Sequence, residues 1–371
     1  MRKLQEKVAK SPNDPQVYLV LGEALLATGK YKEAQAQIEH SIRIKKESAH
    51  AHLLLGVAQY HLKAWDKAET SFKLVVNMQP EDAQPLQNLG ALYLARGMPD
   101  EAVEFLLAAL KRHGNQETTH INLGVAYAAM GVNEKAQGEW QEALKINPQN
   151  PVVYNQMGVM HEKAGKYPEA IEALNKALKL YPDYSTAHFN LGVVYAKQGK
   201  NDLALAKLRN AIRLTPNDAT AHSTLADLYV KLGDFDNSAR EYTLASKIDA
   251  SDPANYFSLG KLYQGRKNPK RAAEYYEKVI RLNTHFAEAY RELAFIYDDL
   301  EDGRKALANA IIAEKLFFDR RNKETSDEMQ RRQIIWYPKY HLKPQDFADL
   351  KIPTAPPRPI PTPRSIKNYE P

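Results

Sequence analysis

A chain of 371 residues with 44% hydrophobic and 26% charged residues has no apolar run approaching the roughly 18 residues of a membrane span. Zero cysteines exclude a disulfide framework, a thiolate zinc site and a thiol nucleophile together. The net charge of +6 gathers at the end, since from Asp319 onward Lys and Arg outnumber Asp and Glu 11 to 7 and before it they stand 40 against 38. The body therefore lacks the concentrated basic face that nucleic acid requires.

The opening residues MRKLQEKVAKSPNDPQ are basic without an apolar stretch behind them. As the chain stands this is no secretory signal, and a cytoplasmic location is the default expectation. Leu4, Val8 and Pro12 fall in register with the second half of a repeating unit, so the chain opens midway through a repeat. Residues 1–14 are either a native N-terminal cap or the start of a piece trimmed from a longer protein. From residue 15 a small residue recurs every 34 positions without an insertion: Gly22, Gly56, Gly90, Gly124, Gly158, Gly192, Ala226, Gly260 and Ala294. Twelve places after each comes Ala34, Ala68, Ala102, Ala136, Ala170, Ala204, Ser238, Ala272 or Ala306. Seven places after the first column stands glycine in six of nine units, from Gly29 to Gly233.

Each period predicts two antiparallel helices. A mid-helix glycine costs about 1 kcal/mol relative to alanine, so it must be a socket that lets paired helices approach. The second glycine closes the first helix in a left-handed conformation. Pro80, Pro148, Pro182 and Pro216 end second helices and start the next unit. Lys46, Gly114, Ala250 and Thr284 replace that proline, and Glu301 replaces the loop glycine in the last unit.

These residues resemble the tetratricopeptide repeat, whose aromatic, Leu-Gly, Tyr, Ala, large apolar and Pro positions share the 34-residue period. His188, Leu191-Gly192, Tyr195, Ala204, Leu208, Ala211 and Pro216 show the pattern in one unit. His120, Leu123-Gly124, Tyr127, Ala136, Trp140, Ala143 and Pro148 show it in another. The resemblance covers residues 15–320 as nine windows: 15–48, 49–82, 83–116, 117–150, 151–184, 185–218, 219–252, 253–286 and 287–320. It implies an all-α fold, a right-handed α-solenoid of nine helix-turn-helix units. Residues 321–350 would cap it, with Thr325-Ser-Asp-Glu328 as a capping box opening a helix through about Ile335 against Phe317 and Phe318.

No phosphate-loop, dinucleotide, metalloprotease or calcium-loop pattern is present. The carboxylates are scattered, and no cofactor or metal is expected. His52, His120, His188 and His222 occupy the aromatic column, where packing is the expected role. The resemblance implies that first helices line a concave surface holding extended peptides. Two places before the small residue lie the amides Asn88, Asn122, Gln156 and Asn190. One place after it lie Val125, Val159 and Val193, and three before it Ile121, Asn155, Phe189 and Phe257. Amides suit an extended backbone and valines offer sequence-tolerant contact. A similar asparagine ladder lines the O-linked N-acetylglucosamine transferases, but too few residues follow the repeats here for such a catalytic domain. The lysine and asparagine pairs of chaperone-binding carboxylate clamps are absent.

The final stretch, KIPTAPPRPIPTPRSIKNYEP, carries seven prolines and predicts polyproline II or disorder over 351–371. At about 3.1 Å per residue it could reach roughly 65 Å. Pro353, Pro356 and Arg358 fit a P-x-x-P-x-R ligand pattern. Trp336, Tyr337, Tyr340 and Phe347 form an aromatic loop region expected to glue the tail's root to the last unit. The sequence thus reads as a non-enzymatic scaffold or adaptor for other proteins, with the tail as a second contact. The competing reading is a structural subunit or assembly factor stitched into a larger, membrane-associated complex, and self-association through the open ends is a third.

Overall fold

The computed structural model describes residues 2–112 and 116–353. Among the described residues the chain forms twenty α-helices and one short 3-10 helix, with no strand. Its contacts divide it into two compact units, one ending at Tyr181 and the other beginning at Pro182.

The first unit opens with α1 (Arg2–Lys10) and continues as antiparallel pairs: α2 (Pro15–Leu26) with α3 (Tyr31–Ile44), α4 (Ala49–His61) with α5 (Trp65–Met78), and α6 (Gln84–Ala95) with α7 (Pro99–Lys111). The last two pairs are α8 (Gln116–Ala129) with α9 (Asn133–Ile146), and α10 (Pro151–Lys163) with α11 (Tyr167–Leu180). Leu4 and Val8 of α1 pack against the cluster holding Leu19, Ile38 and Leu55. In the second unit α12 (Ser185–Lys197) pairs with α13 (Asn201–Leu214), α14 (Ala219–Lys231) with α15 (Phe235–Ile248), and α16 (Pro253–Gly265) with α17 (Pro269–Leu282). There α18 (Ala287–Asp299) pairs with α19 (Gly303–Asp319), and α20 (Lys323–Lys339) packs on α19.

The sockets explain the mid-helix glycines. A Cβ on Gly192 would stand 2.8 Å from Leu208 Cγ, and one on Gly158 2.6 Å from Leu174 Cγ, closer than any real Cβ approaches. Gly56 likewise receives Phe72, Gly124 receives Trp140 and Gly260 receives Tyr276. Each inserted side chain comes from the second helix of the same pair and is almost wholly buried. Burying such a side chain gains about 1.5–3 kcal/mol, which outweighs the glycine cost of about 1 kcal/mol. The alanines twelve places on, with Ser238, are fully buried where the two backbones meet.

All six loop glycines have positive φ, between 71° and 78°. Lys63, Lys267 and Glu301 hold the same place in the repeat and adopt the same left-handed turn at φ 55–59°. The motif is set by its hydrogen bonds: the amide after the turn residue returns to the carbonyl five places back, as in Lys200 to Tyr195 (2.9 Å) and Ala64 to Gln59 (2.9 Å).

The aromatic column does more than pack. His188 Nε2 donates to the Pro182 carbonyl (2.9 Å), His222 Nε2 to Pro216 (3.0 Å) and His52 Nε2 to Lys46 (3.0 Å), while Tyr154 donates to Pro148 (3.3 Å). Each of these four side chains ties its first helix to a carbonyl six residues upstream, in the segment that leads into that helix.

The end of the second unit differs from the sequence expectation in three ways. Helix α20 starts at Lys323, because Asn322 caps it by accepting from the Thr325 amide (3.3 Å), so Thr325 to Glu328 lie within the helix. Phe317, Met329 and Trp336 share a buried cluster, but Phe318 is 65% exposed. Trp336 and Tyr337 belong to the helix, which runs past Pro338 to Lys339; the proline is tolerated in the final turn, where the carbonyl it leaves without a donor belongs to exposed Ile334. Beyond it the chain folds back. The Tyr340 ring lies over Gly303, which has no side chain to obstruct it, and its hydroxyl donates to Asp298 Oδ1 (2.6 Å). Lys339 Nζ reaches the same oxygen (2.6 Å). Burial alone would raise the Asp298 carboxyl, yet the Lys339 and Tyr340 bonds outweigh it and hold the group below its ordinary range. A 3-10 turn at Pro344–Phe347 follows, and Phe347, Leu350 and Ile352 pack on the core.

Candidate functional site

In the first unit, α8 and α10 carry the expected amides and valines on neighbouring first helices. Asn122 is 3% exposed and Gln156 4%, and neither Asn122 Oδ1 nor Gln156 Nε2 has a hydrogen-bond partner. Buried polar groups are nearly always satisfied, so one unused acceptor and one unused donor at the same repeat position are unusual. Val125 and Val159 line a cavity of about 250 Å³ together with Gln156, Ala128, Ala129, Gly131, Asn133, Trp140, Met160, Lys163 and Ala164.

The local sequence makes that space. Ala128 and Ala129 leave the end of α8 without bulk, and Gly131 turns the chain away at φ 78°. Trp140, seated in the Gly124 socket and donating from Nε1 to the Ile121 carbonyl (3.2 Å), supplies a fixed aromatic wall. Lys163 is exposed at the end of α10. Asn88 is half-buried on α6 and does not line the cavity. Ile121 and Asn155 are buried.

In the second unit, Phe189, Asn190 and Val193 sit on α12 and are half-buried. Phe189 packs against the cluster of Leu208, Leu225 and Tyr229. Phe257 on α16 stacks near Tyr276 and Phe286, with ring centroids 5.3 and 5.0 Å away. It also lines a second cavity, of about 470 Å³, with Lys261, Gln264, Gly265, Glu288, Arg291 and Glu292. There the polar groups are engaged with one another. Tyr276 donates to Gln264 Oε1 (2.9 Å), Gln264 Nε2 to Glu292 (3.1 Å) and Arg291 to Glu292 (2.6 Å). The column that holds Val125 and Val159 in the first unit keeps Val193 here on α12 and then turns to Asp227 and Lys261; burial raises the Asp227 carboxyl, although the Tyr242 hydroxyl bonded to it acts the other way.

Of the tail residues, Pro353 is half-buried, whereas Pro356 and Arg358 lie outside the described residues. Among the described residues no group of three or more His, Cys, Asp or Glu could hold a metal ion, and no helix is long and apolar enough to cross a membrane. Ala128, Ala129, Trp140, Met160 and Lys163 were not among the residues picked out from the sequence as binding groups. The run Ala126-Tyr-Ala128-Ala129 is the signal that points to the space they enclose.

Paired helices with glycine sockets and left-handed turns define a tetratricopeptide-repeat protein, and the tetratricopeptide repeat family model matches residues 15–48 and 253–286. The family model described as cilia and flagella-associated protein 70 C-terminal domain matches residues 36–255, more than half of the chain, and the chain belongs to that family. No curated protein matches it at a significant level. Among solved structures it is similar to a chain of the APC/C hetero-tetramer Cut9–Hcn1 (17% identity, TM-score 0.56, 78% of this chain and 57% of that one). It is also similar to the IFIT1 monomeric mutant solved with Gppp-AAAA (16% identity, TM-score 0.61, 85% of this chain and 80% of that one). The chain thus spans little more than half the length of the first neighbour, and these likenesses concern the fold. Tetratricopeptide repeats make this a protein-interaction scaffold class.

Proposed function

We propose that the chain is a non-enzymatic scaffold that holds an extended segment of a partner protein against its first helices. The observation that carries this reading is the pair of buried, unpartnered amide atoms, Asn122 Oδ1 and Gln156 Nε2, at one repeat position, with Gln156 lining the cavity beside Val125 and Val159. A polypeptide backbone offers the N–H and C=O that these atoms lack. Asn88 in the first unit and Phe189, Asn190, Val193 and Phe257 in the second are further contact residues, and the Pro-rich tail supplies a second contact through Pro353, Pro356 and Arg358.

A second reading, a structural subunit stitched into a larger complex by its tail, draws support from the anchored C-terminal segment. Tyr340, Phe347, Leu350 and Ile352 fix the point at which the tail leaves the second unit. Quantitative affinity capture separates the two. Under the scaffold reading, Asn122→Ala with Asn190→Ala lowers capture of partner at least tenfold, while a chain ending at Pro353 captures it normally. The reverse pattern favours the stitched subunit. Truncation must spare Ile352, which packs on the core.

A further inference from the structure

We infer that the cavity between α8 and α10 selects, within a bound partner segment, one apolar side chain of leucine or phenylalanine size followed by an acidic residue. This rests on the scaffold reading and names the ligand chemistry of one place in it.

Size gives the first argument. The cavity, about 250 Å³, lies below the roughly 300–1,000 Å³ usual for small-molecule sites, and it matches a single side chain. Its walls are apolar where the tip of that side chain would lie: Val125, Ala128, Trp140, Val159 and Met160. The second argument is the orphaned hydrogen-bonding pair. Gln156 lines the cavity and its buried Nε2 lacks an acceptor; Asn122, one repeat earlier at the same position, has a buried Oδ1 without a donor. An apolar side chain delivered on a peptide backbone brings a carbonyl for Gln156, which a free hydrocarbon does not. Charge supplies the third. Lys163 is the charged residue among those lining the cavity, and it is exposed. A carboxylate next to the apolar anchor is therefore attracted and an ammonium repelled. In the second unit's cavity, by contrast, Arg291 and Gln264 are already bonded to Glu292.

The test uses the full chain labelled with methyl-13C methionine, with the Met160 signal assigned by Met160→Leu. The probes are capped hexapeptides: Gly-Gly-Leu-Asp-Gly-Gly, the same peptide with Ala for Leu, and the same with Lys for Asp. The first should shift the Met160 methyl saturably, the alanine peptide should bind at least tenfold more weakly, and the lysine peptide several-fold more weakly. Lys163→Glu, at an exposed position, should reverse the preference between Asp and Lys peptides. Val159→Phe, which fills the cavity, should abolish the shift while the melting transition stays the same or rises. Equal affinity for the Leu and Ala peptides, or an Asp preference that survives Lys163→Glu, overturns the proposal. If the peptides leave Met160 unmoved while partner capture still depends on Asn122 and Asn190, the pocket assignment fails and the scaffold reading stands; loss of both defeats both. If the Met160 signal of the free chain moves on truncation after Pro353, the occupant is the chain's own tail and the proposal is likewise overturned.

Discussion

The two units share one packing device and present different chemistry. In the first, the face beside the sockets carries Asn122, Gln156, Val125 and Val159 around an apolar cavity with unused amide atoms. In the second, α12 keeps Asn190 and Val193, but Lys261, Arg291 and Glu292 surround Phe257, with Gln264 and Arg291 bonded to Glu292. The sockets and turns recur because they hold each helix pair together, and the neighbouring columns vary because the pairing does not fix them. In a repeat protein of this kind, specificity resides where the period leaves a residue free.

Since the socket is common to both units, breaking it should cost alike in each. Gly124→Leu in the first and Gly192→Leu in the second force a side chain into Trp140 and Leu208 respectively, and each should lose about 3 kcal/mol by overpacking. Denaturant melts would measure this. An unchanged transition in either variant contradicts the socket account for that unit.

Acid stability sharpens the comparison at intermediate size. Each unit holds a largely covered carboxylate below its ordinary range. Burial alone would raise Glu69, but its bonds to Lys73 and Tyr93, with Arg96 nearby, prevail; Asp298 is held low by Lys339 and Tyr340 in the same way. A depressed folded-state value contributes stability that is complete above the unfolded value, about 4 for carboxylates, and is lost as pH falls through the lowered one. Glu69→Gln and Asp298→Asn should therefore each flatten the decline in stability below about pH 4. A full-strength decline in the double variant would show that these contacts do not matter.

The smallest effect concerns the left-handed turns. Lys63 in the first unit and Lys267 in the second adopt a conformation suited to glycine. Lys63→Gly and Lys267→Gly should each gain about 0.5–1 kcal/mol, part of the left-handed penalty being returned. Loss of stability in either would mean that the lysine side chain holds its turn by contacts of its own.

Much of this was legible in the sequence, for a physical reason. Gly192 and Ala204 stand where two backbones meet, and Gly199 where φ must be positive, so each position tolerates few residues and repeats visibly. The left-handed turns at Lys63 and Lys267 were harder to read, since lysine gives no hint of positive φ. The hydrogen bonds of His188 and His222 to proline-column carbonyls were hidden because histidine also packs as an aromatic. The end of α20, expected at about Ile335, lies at Lys339, because Pro338 in the last turn sacrifices one carbonyl partner and does not break the helix. The cavity depends on the volumes of Ala128, Ala129 and Trp140 acting across two helices, which no single column records.

Hydrogen–deuterium exchange on the full chain, with and without a captured partner segment, tests the central claim most directly. Gripping of an extended segment by the first helices predicts slowed exchange in α8 and α10, with α9 and α11 unchanged. Protection confined to second helices, or to the residues beyond Pro353, would contradict it.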